Sequence, residues 1–271
     1  MLRSPTVPKP KRQKKQLKPV KIDHFYDINC SYLSPNEMSD SLFGDRKSNL
    51  SVFHNNIRSL TKNFDSLTET FDKCSELPDI IAVSETRLIK NKHIPGFKEY
   101  LFEYVDPEKE VGGVGAYISN NLVCSVRRDL NLGAKHCEDL WISVDQNKNV
   151  PSNSKDYKPN FVVGIIYRHP DHKYEKFCEC LCDTLNTLNK TKTDYIIVGD
   201  ININTLKYNI AQNVTDYVNA LHSVGCNVCI DSPTRVTSDS SSCIDHIYSN
   251  LCSSRLFSNI IMNDVSDHFA L

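Results

Sequence analysis

Acids, amides and histidine recur where apolar runs stop. Asn55 and Asn56 follow SVFH, and Glu85 follows DIIAVS. Tyr167, Arg168 and His169 follow FVVGII, and Asp200 and Asn202 stand at the end of YIIVG. Asp245 and His246 sit in an apolar stretch, and Ser266, Asp267 and His268 come near the last residue. Carboxylate and amide oxygens are hard donors of the kind Mg²⁺ takes, usually through one or two carboxylates plus a substrate phosphate. An imidazole beside an acid can hold a proton near neutral pH. Such a set suits metal-assisted attack on a phosphate ester. Singly, each residue has a plainer reading. Glu85 could cap a helix, Asp200 and Asn202 favour simple turns, and Asp245 and His268 could be two surface residues.

Other candidates carry less. Cys226-x-x-Cys229 lacks a second pair at zinc spacing and reads as core packing. Cys178, Cys180 and Cys182 alternate along a helix and point different ways. GGVG at 112–115 has no Lys-Ser/Thr of a phosphate loop, so it reads as a turn.

Positioning such a set requires strands. LSVFHNNI (50–57) reads as a strand, followed by a helix whose face is Leu60, Phe64, Leu67 and Phe71. DIIAVS (79–84), DLWISVD (139–145), FVVGIIY (161–167) and YIIVGD (195–200) read as strands, and the continuous apolar ones as central. Gly112, Gly113 and Gly115 mark a turn before the strand AYIS. Phe177, Leu181, Leu185 and Leu188 form a second helix face. Val214, Tyr217, Val218 and Leu221 form a third, stopped by Gly225. IDHIYS (244–249) and the segment at Ile260 and Ile261 read as final strands. Strands and helices in alternation predict a layered α/β domain with sheet inside and helices outside. Open sheets place ligands at strand ends, because loops there converge on one crevice.

The chain has 271 residues, 39% hydrophobic and 24% charged, enough for one large core. No apolar run is long enough to span a bilayer, so no membrane partner is expected. Eleven scattered cysteines suggest reduced thiols inside a cell. Residues 1–21 hold eight Lys or Arg and no acid; taking these from 32 leaves 24 bases against 33 acids, about −9 on residues 22–271. The proline-rich start and the polar stretch 31–48 read as a mostly disordered basic tail over 1–48, ahead of a domain over 49–271. KPKRQKK at 9–15 is either a nuclear address, a phosphate-binding arm or a solvated tail. The stretch 1–18 has no apolar segment of a secretory signal. The loops at 87–110 and 145–160 are candidates for reading a groove.

Read in order, HNNIRSL (54–60), PDIIAVSETRL (78–88), GGVGAYIS (112–119), VVGIIYRHP (162–170), IIVGDININ (196–204), PTRVTSDSSSCIDHIYSN (233–250) and VSDHFAL (265–271) resemble the endonuclease domain of LINE-type (non-LTR) retrotransposons. That domain belongs to the endonuclease/exonuclease/phosphatase superfamily, with apurinic endonucleases and pancreatic-type deoxyribonucleases. The resemblance implies an α/β (α+β) four-layer sandwich, two packed mixed β-sheets flanked by helices. It implies a Mg²⁺-dependent endonuclease (Mn²⁺ as an alternative) that nicks DNA. Position by position, it implies Glu85 as the main metal carboxylate, with Asn56 near metal and phosphate and Asp267 as a second metal-side acid. It implies Tyr167 as the phosphate-contacting hydroxyl, Asp200 as the acid that orients or deprotonates water, and Asn202 as its support. Asp245 would orient His268, and His268 would face the phosphate. Two departures accompany the match. Arg58 stands where apurinic endonucleases carry an acidic ligand. The chain stops directly after SDHFAL, so the last strand is expected to be cut short and a sheet edge left open. No Tyr/Phe-x-Asp-Asp motif occurs, so no reverse-transcriptase domain is expected in this chain. The rival readings are an inactive nucleic-acid-binding remnant tethered by the basic tail, and a phosphatase of the same fold acting on a phosphoinositide or phospholipid headgroup.

Overall fold

The computed structural model describes residues 30–38, 50–72, 74–89, 93–145 and 161–271. The basic stretch 9–15 and nearly all of the loop 145–160 lie outside them.

Two mixed sheets pack face to face. The first has four strands: β2 (Val52–Asn56), β3 (Ile80–Ser84), β4 (Tyr100–Val105) and β5 (Val114–Ser119), in the order β2-β3-β5-β4. The second has six: β6 (Val123–Val126), β7 (Glu138–Asp145), β8 (Phe161–Tyr167), β9 (Asp194–Asp200), β10 (Asn227–Val228) and β13 (Asp245–Ser249), in the order β10-β13-β9-β8-β7-β6. β2 runs parallel to β3, and β8 parallel to β9; the other pairs in these sheets are antiparallel. A small hairpin joins β11 (Arg235–Val236) to β12 (Ser241–Ser242). A parallel pair joins β1 (Cys30–Leu33) to β14 (Ser258–Ile261).

Side-chain alternation sorts three cores. Val163, Ile165 and Tyr167 point between the sheets, together with Ala82, Ala116, Ile142 and Val198. Val162 and Ile166, one residue out of phase, point to the opposite face. There they meet helix α2 (Tyr174–Lys190), through Phe177, Leu181, Leu185 and Leu188, and helix α3 (Gln212–Ser223), through Val214, Tyr217, Val218 and Leu221. Strands buried on both faces have no polar side to show, hence the unbroken runs FVVGII and YIIV. Helix α1 (Leu60–Phe71) covers the outer face of the smaller sheet with Leu60, Leu67 and Phe71, and Phe64 packs at its margin in tilted contact with Phe97 and Tyr117. The result is the expected four-layer sandwich. α3 ends where expected: Gly225, at φ +70°, lets Cys226 N–H reach back to the carbonyl of Leu221 at 3.0 Å.

Four segments differ from the sequence reading. Residues 30–38 fall within the expected tail, yet β1 pairs with β14 and Met38 is fully buried. Their few apolar residues suffice because β14 offers them an open edge. β4 lies inside the expected loop 87–110, and β6 was not expected either; both are sheet edges whose exposed face masks their pattern. The last residues do not leave β2 bare. Ala270 exchanges both main-chain hydrogen bonds with Ile261 on β14, and Leu271 exchanges both with His54 on β2. No described helix is long and apolar enough to cross a membrane.

Candidate active site

The strand register brings the polar residues into line. Tyr167 lies beside Asp200, Asp200 beside Asp245, and Glu138 beside Tyr167, all at one end of the larger sheet. Asn56 and Ser84 end their strands side by side in the smaller sheet. Where the two rows meet, a cleft of about 510 Å³ opens, lined among others by Glu85, Tyr167, Asp200, Asn202 and His268. The chain turns sharply to build its walls: Arg58, Glu85, Arg87 and Asn202 all have φ between 49° and 54°. Such left-handed conformations of non-glycine residues cost energy and are held only by the surrounding structure.

Asn56 is the hinge of the arrangement. Its amide nitrogen donates to Glu85 Oε1 at 3.1 Å and to Asp200 Oδ2 at 2.8 Å. Its oxygen accepts the main-chain N–H of Arg58 at 3.2 Å. The two carboxylates therefore face one another across one amide. Arg87 donates to the other Glu85 oxygen at 2.6 Å, and the Tyr167 hydroxyl to Oε1 at 3.5 Å. Burial, with Glu85 and Asp200 nearby, raises the Tyr167 phenol far above its ordinary range, so it is a neutral donor. Asn202 supports Asp200 through its main-chain N–H, 3.1 Å from Oδ1. Its side chain donates to the Arg168 carbonyl, and Arg168 in turn donates to the carbonyls of Ile201 and Asn202. The buried guanidinium thus pins the loop after β9 to the end of β8.

On the other side, His268 Nδ1 lies 2.8 Å from Asp245 Oδ2 and 3.1 Å from Oδ1, with both residues buried. Burial alone would lower the imidazole; the charge and hydrogen bond of Asp245, with Asp200 and Asp267, raise it to about 9. Burial would raise the Asp245 carboxyl, but the His268 charge overrides it and the shift is downward. The pair is imidazolium and carboxylate at neutral pH. Asp200 is pushed up to about 7, first by burial and then by the Asp245 charge. It is an acid poised to exchange a proton near neutrality.

Asp200, Asp245 and His268 each offer an atom within 4.8 Å of the others, close enough to hold a metal ion. Geometry favours another set, because His268 Nδ1 and Asp245 are already bonded to one another at 2.8 Å. Glu85 and Asp200 form the better donor set: two facing carboxylates at the floor of a cleft, bridged by the Asn56 amide, with Arg87 on the far oxygen of Glu85.

All eight expected residues converge, but two stand differently from their expected roles. Asn56 presents its amide nitrogen, not its oxygen, to the carboxylates. Both Asp267 oxygens are taken by arginines, Arg58 at 2.6 Å and Arg235 at 2.8 and 2.9 Å. Sequence reading missed Thr234, whose hydroxyl donates to Asp245 Oδ2 at 2.8 Å and accepts the main-chain N–H of Ile244 and Asp245. Ser266, singled out in the sequence without a role, donates its hydroxyl to the Asn56 carbonyl at 2.6 Å. Glu138, too, escaped notice: it accepts from the main-chain N–H groups of Glu108 and Gly113 and lies 3.1 Å from His169 Nε2. The motifs PTR and SDH contain the first two, and nothing local marks Glu138.

No family model and no curated protein matches the chain. Solved structures do. The endonuclease domain of TRAS1, a telomere-specific non-LTR retrotransposon, is 13% identical with a TM-score of 0.54, covering 82% of this chain and 95% of that one. The catalytic domain of Xenopus laevis APE2 is 15% identical with a TM-score of 0.56, covering 82% and 90%. A 3′ phosphatase from Neisseria, bound to a product DNA hairpin, is 14% identical with a TM-score of 0.57, covering 82% and 97%. The fold is that of the endonuclease/exonuclease/phosphatase proteins.

Proposed function

We propose that this chain is a divalent-metal-dependent phosphodiesterase that nicks DNA, of the kind borne by non-LTR retrotransposons. One observation carries the reading: a buried, hydrogen-bonded His268–Asp245 pair faces two carboxylates joined by one amide, drawn from remote stretches of chain into one cleft. Each part suits hydrolysis of a phosphodiester. His268, its ring oriented by Asp245, donates to a phosphate oxygen as charge gathers there. Asp200 takes a proton from the attacking water. Asn56 and Tyr167 are neutral groups that hold the two carboxylates in position before the reaction. Glu85, with Asp200 opposite, would hold Mg²⁺ or Mn²⁺, which supplies Lewis acidity and draws negative charge off the phosphate. Water attack forms the new P–O bond and breaks the bond to the 3′ oxygen, which leaves as an alkoxide and takes a proton from solvent; the products are a 3′-hydroxyl and a 5′-phosphate, as the retrotransposon resemblance implies.

Supercoiled plasmid tests this directly. Conversion to the open circle is expected with Mg²⁺, not with EDTA, and is expected to fall by at least about 10²-fold in Glu85→Ala and His268→Ala. Nicking that survives both substitutions refutes the mechanism. The Neisseria neighbour motivates one further arm, an oligonucleotide with a 3′-phosphate: release of inorganic phosphate without nicking would move the reading to a DNA 3′ phosphatase.

A further inference from the structure

Asp267 sits at the rim of the cleft, beside the catalytic imidazole, yet it is committed to two arginines. Arg58 donates one N–H to Oδ1; Arg235 donates Nε–H to Oδ2, and its terminal nitrogen lies 2.8 Å from the same oxygen. Hydrogen bonding from Arg235, with the charges of His268, Arg235 and Arg58, outweighs burial and holds the Asp267 carboxyl below its ordinary range. The group therefore carries two positive charges and one negative, a net cation. The side chains of Arg58 and Arg235 are 45% and 37% exposed, against 26% for Asp267, so the guanidiniums face solvent and the acid lies beneath them. Each keeps N–H groups beyond those given to Asp267.

Placement fixes what these groups can reach. Arg235 lies directly across an isolated β-bridge from His268, and its neighbour Thr234 holds Asp245. Arg58 follows Asn56 by two residues, and its left-handed backbone turns it out of β2. Both arginines line the same cleft as Glu85, Asp200 and His268. A carboxylate that pins two guanidinium forks removes much of the rotamer freedom that long cationic side chains otherwise lose on binding. Guanidinium forks match phosphate oxygens geometrically, and a net-negative body makes a local cation at the cleft stand out.

We propose that Arg58 and Arg235, ordered by Asp267, form a subsite for the phosphodiester group next to the scissile one. Asp267 is then a positioning residue for anion recognition and not a ligand to the metal. The proposal rests on the phosphodiesterase reading, but its test has an arm that needs no hydrolysis. Binding of a fluorescent duplex oligonucleotide is measured by anisotropy across a salt series in EDTA, for the full chain and for Arg58→Gln, Arg235→Gln and the double variant. The double variant is expected to bind about 10-fold to 100-fold more weakly, with the slope of log affinity against log salt shallower by about 0.9, one phosphate contact. In parallel, turnover of bis(p-nitrophenyl) phosphate, a phosphodiester with no neighbouring phosphate, is expected to fall at least about tenfold less than plasmid nicking does. Arg235→Lys, which keeps the charge but not the fork, is expected to fall between. Unchanged affinity and slope in the double variant overturn the subsite. So does a matching loss on both substrates, which would mean the arginines serve only the shape of the cleft. Absence of nicking with the binding result intact would discard the phosphodiesterase reading and keep Arg58 and Arg235 as a DNA-phosphate contact.

Discussion

Asp245→Asn isolates the electrostatic core of the site. The substitution keeps shape, and the Asn oxygen can still accept from Thr234, whose hydroxyl also anchors the main chain at Ile244 and Asp245. What it removes is the charge that makes His268 a cation. Moving the imidazole midpoint from its usual 6.5 to about 9 corresponds to about 3 kcal/mol of preference for the protonated form. Burial opposes that preference, so without Asp245 the midpoint is expected to drop below 6.5. The assay is the titration of the His268 ring proton by NMR in the metal-free protein, wild type beside variant. A midpoint near 9 that becomes about 6 or less is the expected result. Kinetics add a second signature. If only the imidazolium is active, the deficit of the variant grows by about tenfold per pH unit from 7 to 9 and shrinks toward pH 6. A His268 midpoint left unmoved by Asp245→Asn would refute the pairing as the source of the charge, and a pH-independent deficit would refute the role of the charge in turnover.

Three further outcomes follow from the geometry. A Cβ on Gly199 would lie 1.8 Å from the Ile166 carbonyl oxygen, a backbone atom that cannot swing away; Gly199→Ala is expected to cost about 3 kcal/mol or more in urea unfolding, and a loss under about 1 kcal/mol would contradict the close approach of β8 and β9. Glu138→Ala strips the partner from two main-chain N–H groups and from His169; about 3 kcal/mol of stability should go with it, along with faster amide exchange at residues 107–113, and unchanged exchange there would count against Glu138 as the anchor of that wall. Stability of the metal-free protein is expected to fall from about pH 5 to pH 9. His268 binds its proton more tightly when folded, so its contribution is complete below 6.5 and is lost as pH rises through about 9; Asp200, raised from 3.8 to about 7, also favours the protonated folded form and adds a slope of the same sign. Urea midpoints that climb over that range would show that these two groups do not dominate the titration.

Much of the site was legible because its residues sit at strand ends, where an apolar run stops and a charged or amide residue begins. Helix faces such as Phe177, Leu181, Leu185 and Leu188 were equally plain, since four apolar residues at helical spacing leave little alternative. Edge strands were not. β4 and β6 mix half-buried with exposed residues and bury none fully, and β1 is four residues long, so each resembles a loop until its partner is known. The same limit applies to Arg58, Arg235 and Asp267. Each is an ordinary charged residue in its own stretch, and only the meeting of three distant segments turns an expected ligand into a support for two cations. Glu138 is the extreme case: an acid at the head of a strand, whose partners come from two other segments.

The two-residue seam at Ala270 and Leu271 has a mechanical consequence. Alternate residues of that seam fasten to β14 on one flank and to β2 on the other, only two and three positions beyond His268. β14 is in turn clasped by β1. The imidazole therefore hangs from a guy-line that runs back to residues 30–33, far from the cleft in sequence. Trimming the protein to begin near residue 50 would slacken that line, and the damage would be felt first as misalignment of the histidine rather than as unfolding.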